Sequence, residues 1–169
     1  MARPVPVNLA LRDRRIDIFF AVVFSAFTVT SIISDLLPTV GVDFSQPSDN
    51  FFVQSNYWYA HDADPLFMNP PDWMRIITGL SAFVYMPFYI VLVYALLAAR
   101  NWIQLPSVIY ATMISSLTGI VVFGVEFFGE PEFRTQNAVK FLLFNLPYVL
   151  VPLVLLVRMR KPLPFTRRF

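Results

Sequence analysis

The chain has 169 residues, of which 57% are hydrophobic and 14% charged, and its formal net charge is +2. Soluble domains carry roughly 25% charged residues; here charge is sparse and the apolar residues fall in long blocks, which excludes a single large soluble core. With no cysteine and a single histidine, His61, the chain has no disulfide, thiolate nucleophile or zinc-ligand set to offer, and no metal or cofactor is expected.

In chain order, residues 1–11 read as a flexible arm containing Pro4 and Pro6. Arg12, Arg14 and Arg15 then lead into an apolar block at 18–37. It is about as long as the roughly 20 residues that cross a bilayer, and it ends in Asp35, Leu36, Leu37 and Pro38 rather than in a small-residue cleavage site. It is therefore expected to be a span, not a cleavable signal. Three further blocks meet the same criterion, at 76–99, 105–125 and 141–157. The second and third are joined by a short turn near Arg100, and 126–139 reads as a short polar loop. The fourth block is the shortest, with Lys140 and Arg158 placed to reach the headgroups. The expected fold is an all-α membrane protein, a four-transmembrane-helix bundle. The expected division is an arm at 1–15, a membrane domain at 16–160 and a basic tail at 161–169.

The stretch from 38 to 73 is unusual. A connection longer than about 15 residues generally has a function or is disordered, and this one carries Phe44, Phe51, Phe52, Tyr57, Trp58, Tyr59, Phe67 and Trp73. Aromatics at that density favour burial over disorder. The segment is expected as a long aromatic-rich loop between the first two spans, packed as a lid or interfacial helix on the bundle or lying as an aromatic belt in the headgroups.

Arginine and lysine are unevenly distributed. The N-terminal arm, Arg100 and the tail residues Arg158, Arg160, Lys161, Arg167 and Arg168 lie on one side; most acids, including Asp43, Asp62, Asp64 and Glu130, lie on the other. The positive-inside rule places both termini in the cytoplasm. The membrane would be the endoplasmic reticulum in a eukaryote and the inner membrane in a bacterium. The basic ends could also touch anionic lipid, and the small net charge gives no reason to expect nucleic acid.

Polar groups within spans are costly and mark candidate sites. Asp35 is the clearest, near the end of span one after Thr28, Thr30 and Ser31. Glu126 ends span three, Asn145 lies in span four two residues before Pro147, and Tyr85 and Tyr89 flank Pro87 in span two. Each has a plainer reading: interfacial solvation or capping for Asp35, a helix–helix hydrogen bond for Asn145.

A set of stretches occurs in a characteristic order: Asp35-Leu36; Trp58-Tyr59-Ala60 followed by Asp64-Pro65-Leu66; Pro70-Pro71-Asp72-Trp73; Pro87-Phe88; Trp102-Ile103 with Pro106 and Ile109-Tyr110; and Pro147-Tyr148 with Val151-Pro152. On these the chain resembles the EXPERA-domain proteins over about residues 15–160, nearest to the sigma-2 receptor branch and related to the emopamil-binding sterol isomerase. The resemblance implies a four-helix bundle around a hydrophobic cavity that binds sterols or cationic amphiphiles. It implies that Asp35 pairs with a ligand amine, that Asp64 supports the pocket, and that Tyr85, Met86, Asn145 and Tyr148 line it. One departure stands out: where the family carries a glutamate in span two, this chain has Ser81. An isomerase needs acid–base groups to move a proton, so the first expectation is a non-catalytic binder of a lipophilic small molecule or lipid. The alternatives are a structural subunit of a larger membrane assembly, as a homodimer or with other chains, and then a sterol-type double-bond isomerase.

Overall fold

A computed structural model of the protein describes residues 6–68 and 70–168. Helix dominates, and four helices are long and apolar enough to cross a membrane: α1 (Arg15–Thr39), α3 (Asp72–Leu97), α4 (Asn101–Phe128) and α5 (Ala138–Arg158). Each runs past its apolar block into charged or capping residues, so the observed helices start earlier than the blocks. The N-terminus of α5, for example, is fixed by Asn137, whose side chain accepts from the Lys140 N–H at 3.1 Å. Their outward faces carry exposed apolar side chains such as Ile76, Phe83, Ile120 and Leu143, the last 71% exposed. Contiguous apolar surface on this scale is a liability in water and the normal state of a lipid-facing helix. The chain is a multi-pass membrane protein.

The segment expected as a long loop is largely helical. α2 (Phe51–Ala63) starts at Asn50, whose side chain accepts from the backbone N–H groups of Phe52 and Val53. Asn56, Ala60 and Ala63 form its buried stripe at i, i+4 and i+7, while Phe51, Phe52 and Trp58 face outward. A 3₁₀ turn at Pro65–Phe67 follows and buries Leu66 and Phe67. The aromatic density thus serves two surfaces: Phe44 and Phe67 are buried in the core, whereas Phe51 and Trp58 are exposed.

Two buried clusters lie along the bundle. One, nearer the termini, is built on Phe20, Phe24, Tyr89, Leu92, Tyr110 and Leu155. The Tyr89 and Tyr110 rings meet edge to face at 5.4 Å, and Phe24 touches both. The other, under α2, gathers Phe44, Ala60, Phe67, Met74, Val122 and Phe141.

At the level between these clusters the spans depart from α-geometry. π-helical turns occupy Ser31–Asp35 in α1, Ser81–Tyr85 in α3 and Leu117–Val122 in α4. Two have a covalent cause. A proline has no N–H and its ring clashes with the carbonyl four residues earlier; Pro38 lies four residues after Ser34, and Pro87 four after Phe83. α5 changes register at the same level, where Pro147 begins its second half. Such bulges widen the backbone and turn side chains that a regular helix would hold elsewhere.

Arm and tail meet at the termini end. β1 (Pro6–Asn8) pairs antiparallel with β2 (Thr166–Arg168). Asn101, the first residue of α4, donates to the Thr166 hydroxyl at 2.7 Å and accepts from the Phe165 N–H at 3.0 Å. Beneath the ribbon the fully buried Asp17 accepts from Arg14 at 2.6 Å and from Arg158 through two bonds of 2.9 Å. Both guanidinium groups lie over the Phe165 ring, at 5.0 and 5.2 Å. The expected flexible arm is therefore tied down from Pro6 onward; residues 1–5 lie outside the described residues.

Candidate functional site

The bulged level encloses a cavity of about 600 Å³, within the ~300–1,000 Å³ of small-molecule pockets. Its walls are mostly apolar, with Phe27, Ile33, Phe67, Met74, Ile77, Ile114 and Val122 among them. Leu143 and Phe144, exposed on α5, belong to the wall as well, so the cavity reaches the lipid-facing surface beside α5 and α2.

Asp35 is on this wall. The π-turn in α1 sets it against the facing turn of α3, where the Ser81 hydroxyl donates to Asp35 Oδ2 at 2.6 Å. The Ser31 and Ser81 hydroxyls are 3.3 Å apart. Among the described residues Asp35 has no ion pair. A carboxyl group with a single short hydroxyl bond and open acceptor sites therefore faces an apolar space. Such a group can take an ammonium or a hydroxyl donor.

The remaining sequence-derived candidates divide. Asn145 and Tyr148 line the cavity. Tyr148 stacks on Phe27 with ring centroids 4.2 Å apart, and its hydroxyl meets Thr30 at 2.5 Å. Asn145 donates to the Tyr59 hydroxyl at 2.5 Å and to the Phe141 carbonyl at 3.0 Å. Asp64 is buried behind this wall and accepts from the Tyr59 hydroxyl at 3.0 Å. Tyr85 and Met86 are not brought to the cavity. The Tyr85 ring packs on Tyr110 at 5.3 Å in the cluster nearer the termini, and Met86 lies against that same cluster.

Among the wall residues that the sequence did not mark as site residues is Tyr59. It is held by Asn145 and Asp64; its position in the Trp58-Tyr59-Ala60 stretch was the available signal. Burial, reinforced by the Asp64 charge, pushes its phenol well above the usual range. Thr118, in the π-turn of α4, also faces the space. Lys140 reaches the rim and is taken up by Asp62, whose carboxyl its ammonium holds below the usual range.

Glu126, which reads in the sequence as a span end, is fully buried and in contact with Asp64. Among the described residues neither carboxyl has an ion pair. Burial raises Asp64 from 3.8 to about 6, against the opposing effects of the neighbouring Glu126 carboxyl and the Tyr59 hydroxyl.

A family model described as EXPERA (EXPanded EBP superfamily) matches residues 51–159. The chain is also similar to the Sigma intracellular receptor 2 of Xenopus tropicalis, at 27% identity over 150 residues, covering 84% of this chain and 85% of the relative.

Proposed function

Since the chain belongs to the EXPERA family (EXPanded EBP superfamily), we propose that it is a membrane receptor for a lipophilic ligand, sterol-like or a cationic amphiphile, and that it binds without catalysing. One observation carries the reading: Asp35 meets an apolar cavity of ligand size, held by Ser81 and without a cation of its own. A protonated amine entering from the lipid beside α5 would place its charge on Asp35 and its apolar body against Phe27, Ile114 and Met74. In a dry pocket such a charge-assisted bond is about twice as strong as a neutral one. A sterol would use its hydroxyl at the same carboxyl. The wall facing Asp35 carries the Ser81 hydroxyl where the family resemblance puts a glutamate, so proton transfer across a substrate lacks its second carboxyl there. The termini, with their arginines and Lys161, belong on the cytoplasmic side, in the endoplasmic reticulum of a eukaryote or the inner membrane of a bacterium.

The test is equilibrium binding of a tritiated tertiary-amine amphiphile to purified protein in lipid nanodiscs. A hydrogen bond to a charged group contributes about 1.5–3 kcal/mol, so Asp35→Asn should weaken binding by roughly 10- to 100-fold. Unchanged affinity would remove Asp35 from the site.

A further inference from the structure

The pairing of Asp64 with Glu126 has no role in the contacts proposed for the ligand, yet it lies directly behind the cavity wall. Asp64 comes from the segment after α2 and Glu126 from the end of α4; both are fully buried. Asp64 Oδ1 and both Glu126 carboxyl oxygens have no donor from any other described group. Lys140, at the cavity rim, is engaged by Asp62. Two buried carboxylates in contact repel each other strongly unless one carries a proton, in which case the contact becomes a hydrogen bond. The direction of the bonds says which one. Asp64 Oδ2 already accepts from Tyr59, whereas neither Glu126 oxygen accepts from any donor among the described residues, so the negative charge is better held on Asp64. The neutral acid is then Glu126, donating to the otherwise unsatisfied Asp64 Oδ1.

We propose that Glu126, as a neutral acid, is a positioning residue for the ligand cavity: its proton completes a directed chain, Glu126 to Asp64, Tyr59 to Asp64 and Asn145 to Tyr59, that fixes the Tyr59 and Asn145 side chains on the cavity wall. The inference rests on the binding reading for its effect on affinity, and on geometry alone for the state of Glu126. With Glu126 ionised, Asp64 would face an unpaired charge, and the Tyr59 bond, with the Asn145 amide that leans on it, would lose its fixed partner.

Two measurements on the full chain test it. First, infrared spectra of wild type and Glu126→Gln in lipid vesicles at neutral pH should differ by the carbonyl stretch of a neutral carboxylic acid, present in wild type and lost in the variant. Persistence of that band in Glu126→Gln at wild-type intensity would overturn the assignment. Second, the tritiated tertiary-amine amphiphile should bind Glu126→Gln within about twofold of wild type, because the amide is neutral and still donates to Asp64. Glu126→Ala and Tyr59→Phe should each bind about tenfold more weakly, the equivalent of one hydrogen bond. Should Glu126→Ala fail to fold, Tyr59→Phe carries the comparison. Binding by Glu126→Gln as weak as by Tyr59→Phe, or full-strength binding by Tyr59→Phe, would overturn the positioning role. If wild type does not bind the probe, the receptor reading fails by itself, while the infrared comparison still decides the state of Glu126.

Discussion

Replacing Asp17 with alanine is expected to loosen the end of the bundle that carries both termini. Asp17 is the only carboxylate held there by two arginines among the described residues, bonding Arg14 at 2.6 Å and Arg158 at 2.9 Å. Arg14 also donates to the Leu96 carbonyl at 2.8 Å, and Arg158 to the Pro164 carbonyl at 2.9 Å, so α1, α3, α5 and the tail converge on one carboxyl group. The Arg14 side chain is 3% exposed, that of Arg158 18% and that of Asp17 0%. Removing one member of a buried ionic network costs about 3–5 kcal/mol, because the partner charge is left uncompensated. Here two guanidiniums would be left. At roughly 2–4 °C per kcal/mol for a chain of this size, the midpoint should fall by about 6–20 °C. Thermal unfolding in nanodiscs, followed by tryptophan emission, measures it. The reasoning also makes a second demand. Neutralising the whole network in an Arg14→Met, Asp17→Leu, Arg158→Met variant should recover much of the loss, since apolar replacement of a buried ionic cluster is often close to neutral. A fall of under about 2 °C for Asp17→Ala, or a triple variant no better than the single one, would refute the idea that uncompensated charge is the cost.

Asp64 gives stability a pH dependence of definite sign. Its carboxyl binds a proton more tightly in the folded protein than in the unfolded one, so its contribution is most favourable at low pH, declines as pH rises from about 4 to about 6 and is level above that. Unfolding of wild type and Asp64→Asn across that window should show a steeper decline in wild type than in the variant; parallel curves would contradict it. Gly79 lets α3 pack closely on the end of α1: a Cβ there would lie 3.2 Å from Thr39 Cγ2. Gly79→Val should destabilise by about 1–3 kcal/mol through overpacking, read in the same thermal assay, and an unchanged midpoint would mean that the two helices can part freely.

The four spans were legible because hydrophobic length is a one-dimensional property: about 20 apolar residues are needed whatever the helix packs against. Asp35 was legible for the same reason, since a carboxyl in such a run is anomalous wherever it points. What could not be read were relations between residues far apart in sequence. Glu126 looks like a helix end until Asp64, from the other side of two spans, is placed against it. Arg14, Asp17 and Arg158 look like topology charges until the tail folds back and the Phe165 ring is brought against both guanidiniums. Tyr85 shows the opposite case. It lies in a span, near a proline and close in sequence to Ser81, and still points into the aromatic cluster. The π-turn at Ser81–Tyr85 is the physical reason: it directs Ser81 toward Asp35 while the Tyr85 ring packs on Tyr110. Counting at 3.6 residues per turn cannot foresee an inserted residue. Pro87 signals that one is near, yet the bulge is fully specified only by what faces it. At this level α1 and α3 bulge toward each other, so the Asp35–Ser81 contact at 2.6 Å is the product of two proline-linked distortions. The site is where the helices stop being regular, and regularity is the assumption on which periodicity-based reading depends.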